Sequence, residues 1–365
     1  VNLFVLNPGS SSLKFGLYEL PRSSAEPIAL EPITGEMEHL GAEGVPRAVD
    51  EALAQCAGRS IDAVGCRVVH GGSRFSAPAI VDDAVLDQIR QLSALAPLHN
   101  PVAAAVIEQV RRALPAVPVV AVFDTAFHHT LPPMAWRYAV PEELPVRRYG
   151  FHGISYAYVS ARLVERLGIG KRLVICHLGS GASVCAIADG RSIDTSMGLT
   201  PMEGLVMGTR SGDLDPGALL YLLRTGRNEA DLDDLLNHRS GLLGLSGHSA
   251  DMHEIQEAAT AGDERANLAL DLFCYRVAKY IGAYAAALGG LDGLAFTAGI
   301  GEHSAIVRER VCAPLAFLGI ELDEAANEAT SKDERRISRG TAPVWVIPTN
   351  EELQIALEVA GVLVT

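Results

Sequence analysis

The sequence predicts an α/β fold built from two copies of one domain, and three observations predict it. Short apolar runs of β character alternate with longer runs of helical period. The segment Leu3-Phe4-Val5-Leu6-Asn7-Pro8-Gly9-Ser10 recurs as Leu173-Val174-Ile175-Cys176-His177-Leu178-Gly179-Ser180, at a constant offset of 170. Each copy then turns through small residues into a second strand, Lys14–Leu20 or Ser183–Ala188. A weaker echo links Phe123-Asp124-Thr125-Ala126 with Phe296-Thr297-Ala298 and adds to the case for duplication. The length of 365 residues also suits two domains, at roughly 150 residues each.

The elements are taken in chain order. Leu3–Asn7 and Lys14–Leu20 form a hairpin whose tip, Pro8 to Ser12, is unusually polar. Residues 21–60 carry weak strand signals and a short helix near Val49–Cys56. Ile61–His70 is a strand ended by Gly71-Gly72. Asp82–Ala94 is a helix with acids in its first turn. Asn100-Pro101 starts the next helix, with Asn as N-cap and Pro at the first helical position. Val117–Phe123 is an apolar strand that delivers Asp124 at its end. In the second half, Pro216–Arg224, Asp231–His238 and Asp263–Leu288 are helical. Leu294–Thr297 and Val344–Ile347 are strands, and Glu351–Val359 is a terminal helix.

Composition narrows the function. Hydrophobic residues make up 48% and charged residues 20%, which excludes disorder as the main state. The balance of 30 basic against 44 acidic residues gives a net charge of −14. That surface repels nucleic acid and anionic membranes, though a basic pocket could still hold a small anion. No apolar stretch reaches the ~20 residues of a spanning helix. The N-terminal residues have no basic stretch or cleavage-like segment, so no export signal is expected. Six scattered cysteines without a CxxC pair fit free thiols in a reducing cytoplasm.

Three glycine turns could contact phosphate. Asn7 to Lys14 offers hydroxyls, backbone amides and one Lys, and is either a phosphate grip or a polar hairpin turn. It lacks Walker A spacing. His177 to Ser183 is its duplicate, and two such loops suit a nucleotide. Gly299-Ile300-Gly301-Glu302 either admits a nucleotide or caps a strand–helix junction. Arg67 and Arg210 sit beside Gly turns and apolar neighbours, as clamps on carboxylate or phosphate oxygens would. For His99 and His152 taken singly, a structural role is the better reading. Asp124 ends an apolar strand, where open α/β sheets bind ligands. Glu351 and Glu352 open the last helix, as ordinary first-turn acids or as help for a metal.

Taken together these segments resemble the acetate kinase family. The resemblance rests on Asn7–Lys14 (NPGSSSLK), Arg67–Gly72 (RVVHGG), Ala96–Pro101 (APLHNP), Val122–His128 (VFDTAFH) and Tyr149–Gly153 (YGFHG). It continues through His177–Ser183 (HLGSGAS), Gly204–Arg210 (GLVMGTR), Gly299–Glu302 (GIGE) and Pro348–Leu353 (PTNEEL). It implies two duplicated actin-like ATPase (ribonuclease H-like) domains with an active-site cleft between them. The expected division is 1–124 plus 351–365 as one domain and 125–350 as the other, the latter binding nucleotide and dimerising. It implies a cytoplasmic homodimer that transfers the ATP γ-phosphoryl group to acetate, with Mg²⁺ as cofactor and Mn²⁺ as an alternative. No nucleic acid or membrane partner is expected.

Residue by residue, the resemblance implies that Asn7 and Glu351 position the metal. Ser10, Ser12 and Lys14 would line the phosphate path. Arg67 would hold the carboxylate, and Asp124 would orient substrate or metal waters; acetate, already an anion, needs no base. His152 and Arg210 would stabilise the phosphoryl oxygens in flight, with His99 in support. Val69, Leu98, Phe151 and Pro201 would surround the acyl methyl. Val69 is the acetate-type choice, but one methylene is worth only ~1–3 kcal/mol, so some propionate activity is expected. The nucleotide would meet His177, Leu178, Gly179, Ser180, Gly181, Asp251, Met252, His253, Gly299, Ile300, Gly301, Glu302 and His303.

Three positions depart from the family pattern. Ser180 stands for the usual Asn, His253 for the Arg of Asp-x-Arg, and His303 for the Asn after GIGE. All fall on the nucleotide side, so nucleotide affinity or base preference is expected to differ. Small residues at Gly299 and Ile300 leave an adenosine pocket open and argue against pyrophosphate as sole donor. The rival readings are a propionate or butyrate kinase and a non-catalytic nucleotide-binding relative.

Overall fold

The computed structural model describes residues 1–9, 12–21, 32–38, 44–168 and 171–364. The chain divides into two compact units. Unit 1 contains residues 1–129, 151–158 and 350–365; unit 2 contains 130–150 and 159–349.

Each unit is built on a six-stranded sheet. The first comprises β1 (Asn2–Pro8), β2 (Ser12–Glu19), β3 (Ile33–Glu38), β4 (Ala63–Val68), β5 (Ala79–Ile80) and β6 (Val119–Phe123). The second comprises β7 (Arg172–Leu178), β8 (Ala182–Ala188), β9 (Arg191–Thr195), β10 (Gly293–Thr297), β11 (Arg335–Arg336) and β12 (Val344–Val346). The strand orders are β3-β2-β1-β4-β6-β5 and, read from the matching edge, β9-β8-β7-β10-β12-β11. In both sheets an antiparallel three-strand meander leads into two parallel neighbours and a short antiparallel edge. The expected duplication is therefore present strand for strand, and β1 and β7 start and end 170 residues apart.

The weaker echo does not belong to it. Phe123 ends β6, whose counterpart is β12, whereas Phe296 lies in β10, the counterpart of β4. The shared letters reflect two apolar strand ends, not equivalent positions.

The first sheet buries both faces. Phe4, Leu6, Val64 and Ala121 pack against helices Val45–Gln55 and Asn100–Ala113. Leu3, Val5, Val120 and Val122 pack under the terminal helix Glu351–Val364 through Ile355, Ala356 and Val359. This alternation gives parallel strands that read as continuous apolar runs. In unit 2 the long helix Glu264–Leu288 lies on β7, β8 and β9 and buries Phe273, Val277 and Ile281. It is capped by Asp263 and stopped by left-handed Gly289.

Two sequence expectations need correction. Asn100 is not an N-cap: the helix includes it, and His99 occupies the cap position without a side-chain cap. The Asn100 side chain is drawn inward to the His70 backbone. The helix Gly153–Leu167 went unread, because its opening Ile, Tyr, Tyr and Val carry strand propensity. None of the described helices is long and apolar enough to cross a membrane.

Candidate active site

In unit 1, three parallel strand ends define the site. β1, β4 and β6 are neighbours, with Leu6 opposite Cys66 and Val68 opposite Phe123. Their C-terminal ends deliver Asn7, Arg67 and Asp124 to one place. Arg67 donates through Nε (2.9 Å) and Nη2 (2.5 Å) to Asp124 Oδ2. Its Nη1 donates to Asn7 Oδ1 (3.2 Å) and to the Pro8 carbonyl (3.4 Å). The Asn7 amide in turn donates to Glu351 (3.1 Å) and Glu352 (2.8 Å) in the first turn of the terminal helix. Asn350 caps that helix by accepting from Leu353 N at 2.9 Å. Four sequence-predicted residues, Asn7, Arg67, Asp124 and Glu351, thus form one network, with Glu352 as a fifth member.

Burial sets the electrostatics. Asp124 is 1% exposed and Oδ1 has no hydrogen-bond partner among the described residues. Burial raises its pKa to about 6; Arg67 opposes the shift and Glu351 adds to it. Burial also works against the Arg67 charge, but Asp124 and Glu351 outweigh it and hold the guanidinium protonated. Three carboxylates meet one guanidinium, so the cluster carries excess negative charge. Among the described residues no group of three or more His, Cys, Asp or Glu could hold a metal unaided. Mg²⁺ keeps several waters and needs only one or two carboxylates beside substrate phosphates. The orphaned Asp124 oxygen and the Glu351 carboxylate fit that requirement.

His152 sits next to this network with φ +59, strained for a residue other than glycine. Its successor in the chain imposes that strain: Gly153 N donates to the Asp124 carbonyl at 2.9 Å and opens the helix Gly153–Leu167. A Cβ at Gly153 would overlap that carbonyl, so only glycine brings the helix start onto Asp124. Phe151 is buried; its carbonyl meets His128 Nε2 at 3.0 Å and its ring packs edge-on to His70 at 5.4 Å. Val69 is buried too, whereas Leu98 is 54% exposed.

Two residues to which sequence reasoning gave no role at the site, Asn100 and Thr125, hold the turn after β4. Asn100 Oδ1 accepts from His70 N (3.1 Å), and Asn100 Nδ2 donates to the His70 carbonyl (3.0 Å). Thr125 Oγ1 accepts from Gly71 N at 2.9 Å. Both sit inside segments that carry the family resemblance, Ala96–Pro101 and Val122–His128, which was the available signal. Lys14 lies opposite Asn7 in the hairpin register and is exposed, and the Ser12 carbonyl accepts from Gly9 N. Ser10 lies outside the described residues.

Unit 2 contains a cavity of about 950 Å³, within the usual range for small-molecule sites. Gly179, Ser180, Asp251, Met252, His253, Gly299, Ile300 and His303 all line it. The three departures from the family pattern therefore share one cavity. Gln256, Glu257, Thr260 and Ser304 also line it; Ser304 Oγ donates to Gln256 Oε1 at 2.8 Å and joins two of its walls. Asp251 caps the helix Met252–Thr260 by accepting from His253 N at 2.6 Å. Leu178 and Gly301 are buried, and His177, which pairs with Thr297, is nearly so. Gly181 N and the Gly179 carbonyl lie in the same tight turn, where Gly179 N donates to the Gly181 carbonyl at 3.0 Å. Glu302 is turned to the strand ends: Oε1 accepts from Ala298 N (2.8 Å), Thr349 N (3.2 Å) and Thr297 Oγ1 (3.5 Å).

Arg210 and Pro201 lie on the irregular segment after β9. Arg210 Nη1 donates to the Pro201 carbonyl at 2.9 Å and contacts Met207 sulfur at 3.5 Å. Among the described residues it forms no ion pair, and burial lowers its pKa. A half-buried guanidinium without an acid partner is able to take an anionic group.

Comparisons with known proteins identify the family. The family model of the acetokinase family matches residues 33–357. The acetate kinase of Thermotoga maritima is 46% identical, over 98% of this chain and 97% of the relative. That of Leifsonia xyli is 49% identical, over 97% of each. The crystal structure of Porphyromonas gingivalis acetate kinase superposes with a TM-score of 0.87 at 40% identity, covering 99% of both chains. A propionate kinase from Francisella tularensis gives 0.87 at 39% identity, covering 98% of both. The chain belongs to the acetokinase family.

Proposed function

We propose that this member of the acetokinase family is an acetate kinase, which reversibly transfers the ATP γ-phosphoryl group to acetate and yields acetyl phosphate and ADP. The observation that carries the reading is the Asn7–Arg67–Asp124–Glu351 network at three adjoining strand ends.

In the forward reaction an acetate oxygen forms a bond to the γ-phosphorus as the bond to the bridging oxygen of ADP breaks. Acetate arrives and ADP leaves as anions, so no proton transfer is required. The work is positioning and charge neutralisation. Arg67 receives the acetate carboxylate. Its internal bonds use four of five N–H groups, leaving one Nη2 hydrogen for the ligand. Asp124 fixes the Arg67 fork and orients water. Val69, Phe151, Leu98 and Pro201 receive the methyl, and the exposure of Leu98 leaves room for some propionate turnover. His152 and Arg210 stabilise the phosphoryl oxygens, with His99 in support. Ser10, Ser12 and Lys14 line the phosphate path. The unit 2 cavity takes the nucleoside, with Gly179, Ser180 and Gly299 at its wall. Asn7 and Glu351 would hold Mg²⁺, partly through water, with the Asp124 oxygen beside them, and the ion would supply neutralisation of phosphate charge.

We also propose a homodimer. The helix Pro216–Arg224 buries none of its residues, and Leu220, Tyr221 and Leu223 are exposed, which suits a partner surface. Sedimentation of the purified chain tests it: a Leu220→Glu variant should run as a monomer if this helix is the contact. The six cysteines are all free and buried, which supports a cytoplasmic setting.

The decisive assay measures acyl phosphate formation with Mg²⁺-ATP and acetate, propionate or butyrate, and with pyrophosphate as alternative donor. ATP-dependent turnover with the highest kcat/KM for acetate is expected. A higher value for propionate makes it a propionate kinase. ATP binding without any turnover would overturn the enzyme reading.

A further inference from the structure

The segment from Met197 to Asp213 carries Pro201 and Arg210, yet contains no regular helix or strand. Backbone hydrogen bonds tie residues 207–211 to their surroundings, among them Gly208 N to the Ser180 carbonyl (3.0 Å) and Ser211 N to the Leu236 carbonyl (3.1 Å). The turns on which the Arg210 side chain rests are held by two side-chain latches. One closes residues 204–213: Asp213 Oδ1 accepts from Gly204 N (2.9 Å), while Oδ2 accepts from Tyr280 Oη (2.8 Å). The other closes the turn Leu199–Glu203, whose apex is Pro201. Tyr138 Oη accepts from Leu199 N at 3.0 Å and donates to Glu203 Oε2. Arg148 Nη2 donates to Glu203 Oε1 at 2.6 Å. Arg148 Nη1 reaches the carbonyls of Thr195, Ser196 and Met197, each at 3.0 Å, where the segment leaves β9. A Cβ at Gly198 would run into both Glu203 and Tyr138, so the chain there is glycine because these side chains fill the space.

We propose that Glu203, clamped by Arg148 and Tyr138, is the positioning residue for Arg210. This rests on the assignment of Arg210 as the cation that stabilises the transferring phosphoryl group. The connection is short. Glu203 and Tyr138 fix both ends of a five-residue turn, and the carbonyl at its apex holds one Arg210 nitrogen at 2.9 Å. Releasing the turn frees that carbonyl, and Arg210 then has no acid partner to return it to one position. Arg148 also lies four residues before His152 in the chain. The Tyr149 and Gly150 amides donate to the Gly198 carbonyl at 3.0 and 3.3 Å. The same clamp therefore fixes the segment entering Phe151-His152. Glu203 touches no reacting atom in this scheme and acts only through the groups it holds.

The test compares Glu203→Gln and Tyr138→Phe in the wild-type and Arg210→Ala backgrounds. Each removes one component of the clamp with little change of volume. In the wild-type background each should lower kcat by roughly 10–100-fold, since a displacement of about 1 Å can cost on the order of 100-fold. KM for ATP should stay unchanged, because neither residue lines the nucleotide cavity. In the Arg210→Ala background each should cost several-fold less than in the wild type, the remainder acting through the His152 segment. The same loss in both backgrounds, or an unchanged kcat in both single variants, would overturn the proposal. Tyr138→Phe decides alone if Glu203→Gln does not fold. A second readout needs no turnover: phenylglyoxal modification of Arg210, measured by peptide mass spectrometry, should speed up several-fold in either variant. An unchanged rate refutes the positioning role even if the assigned reaction proves wrong. Absent acyl phosphate formation by the wild type would instead sink only the assignment of function.

Discussion

Replacing Gly153 with alanine should damage catalysis more than stability. The added methyl would overlap the Asp124 carbonyl and lie 2.8 Å from Phe127 Cβ, against the 3.4 Å at which ordinary contact begins. Backbone bounds the site on one side, so the helix start must retreat by about 1 Å. The retreat brings two losses. Overpacking of this kind costs about 1–3 kcal/mol, and a weakened Gly153–Asp124 hydrogen bond adds about 0.5–1.5 kcal/mol. At roughly 2 °C per kcal/mol for a chain this long, Tm should fall by about 5 °C. The retreat also carries His152 away from Asp124, and a misplacement of about 1 Å costs on the order of 100-fold in kcat. Acyl phosphate formation at saturating acetate and ATP measures the catalytic effect, and thermal unfolding the loss of stability. An alanine variant with wild-type kcat and Tm would refute the idea that the helix start is pressed onto Asp124.

Gly299→Ala is the contrasting case. No atom lies within 4 Å of a Cβ there, so Tm should not move, while KM for ATP should rise as the methyl enters the cavity; a lowered Tm with unchanged KM would contradict this. Arg210→Ala should lower kcat by ~10²–10³ with the fold intact, and near-normal turnover would remove its assigned role. The last concerns pH. The folded pKa of Asp124, about 6, lies above the unfolded value near 3.9, so its stabilising contribution is complete below about pH 4 and lost as pH rises through about 6. The Tm of the wild type relative to Asp124→Asn should therefore improve from pH 7 to pH 5, and a change of the opposite sign would disprove the raised pKa.

Much of the frame was legible because strands buried on both faces write themselves as apolar runs. β1, β4, β6, β7 and β10 were all found this way, and Asp124 was placed at its strand end. The polar edge strand Arg191–Thr195 and the two-residue edges left no such trace. The helix Gly153–Leu167 hid behind strand-like residues. Asn100 was found but misread: its amide satisfies buried His70 backbone groups, a long-range demand that outweighs a local cap. Around the unit 2 cavity the lining loops were legible from their glycines. Gln256 and Thr260 were not, because they lie on an ordinary-looking helix and matter only through what they face.

The duplicated sheets also differ in how their strands are tied. By register, Arg67 and Asp124 in the first copy correspond to Thr297 and Thr349 in the second. The first copy joins these two strand ends by an ion pair between side chains. The second joins them by the Glu302 carboxylate, which accepts from the backbone amides of Ala298 and Thr349. On the proposed reading, an acyl ligand takes the remaining Nη2 hydrogen of the guanidinium that joins β4 to β6, so its arrival loads an internal cross-link. Glu302 does not line the unit 2 cavity, so a nucleotide held there would not draw on its tie. On the proposed reading, one copy of the fold is built to feel its ligand in its own stiffness, and the other to ignore it.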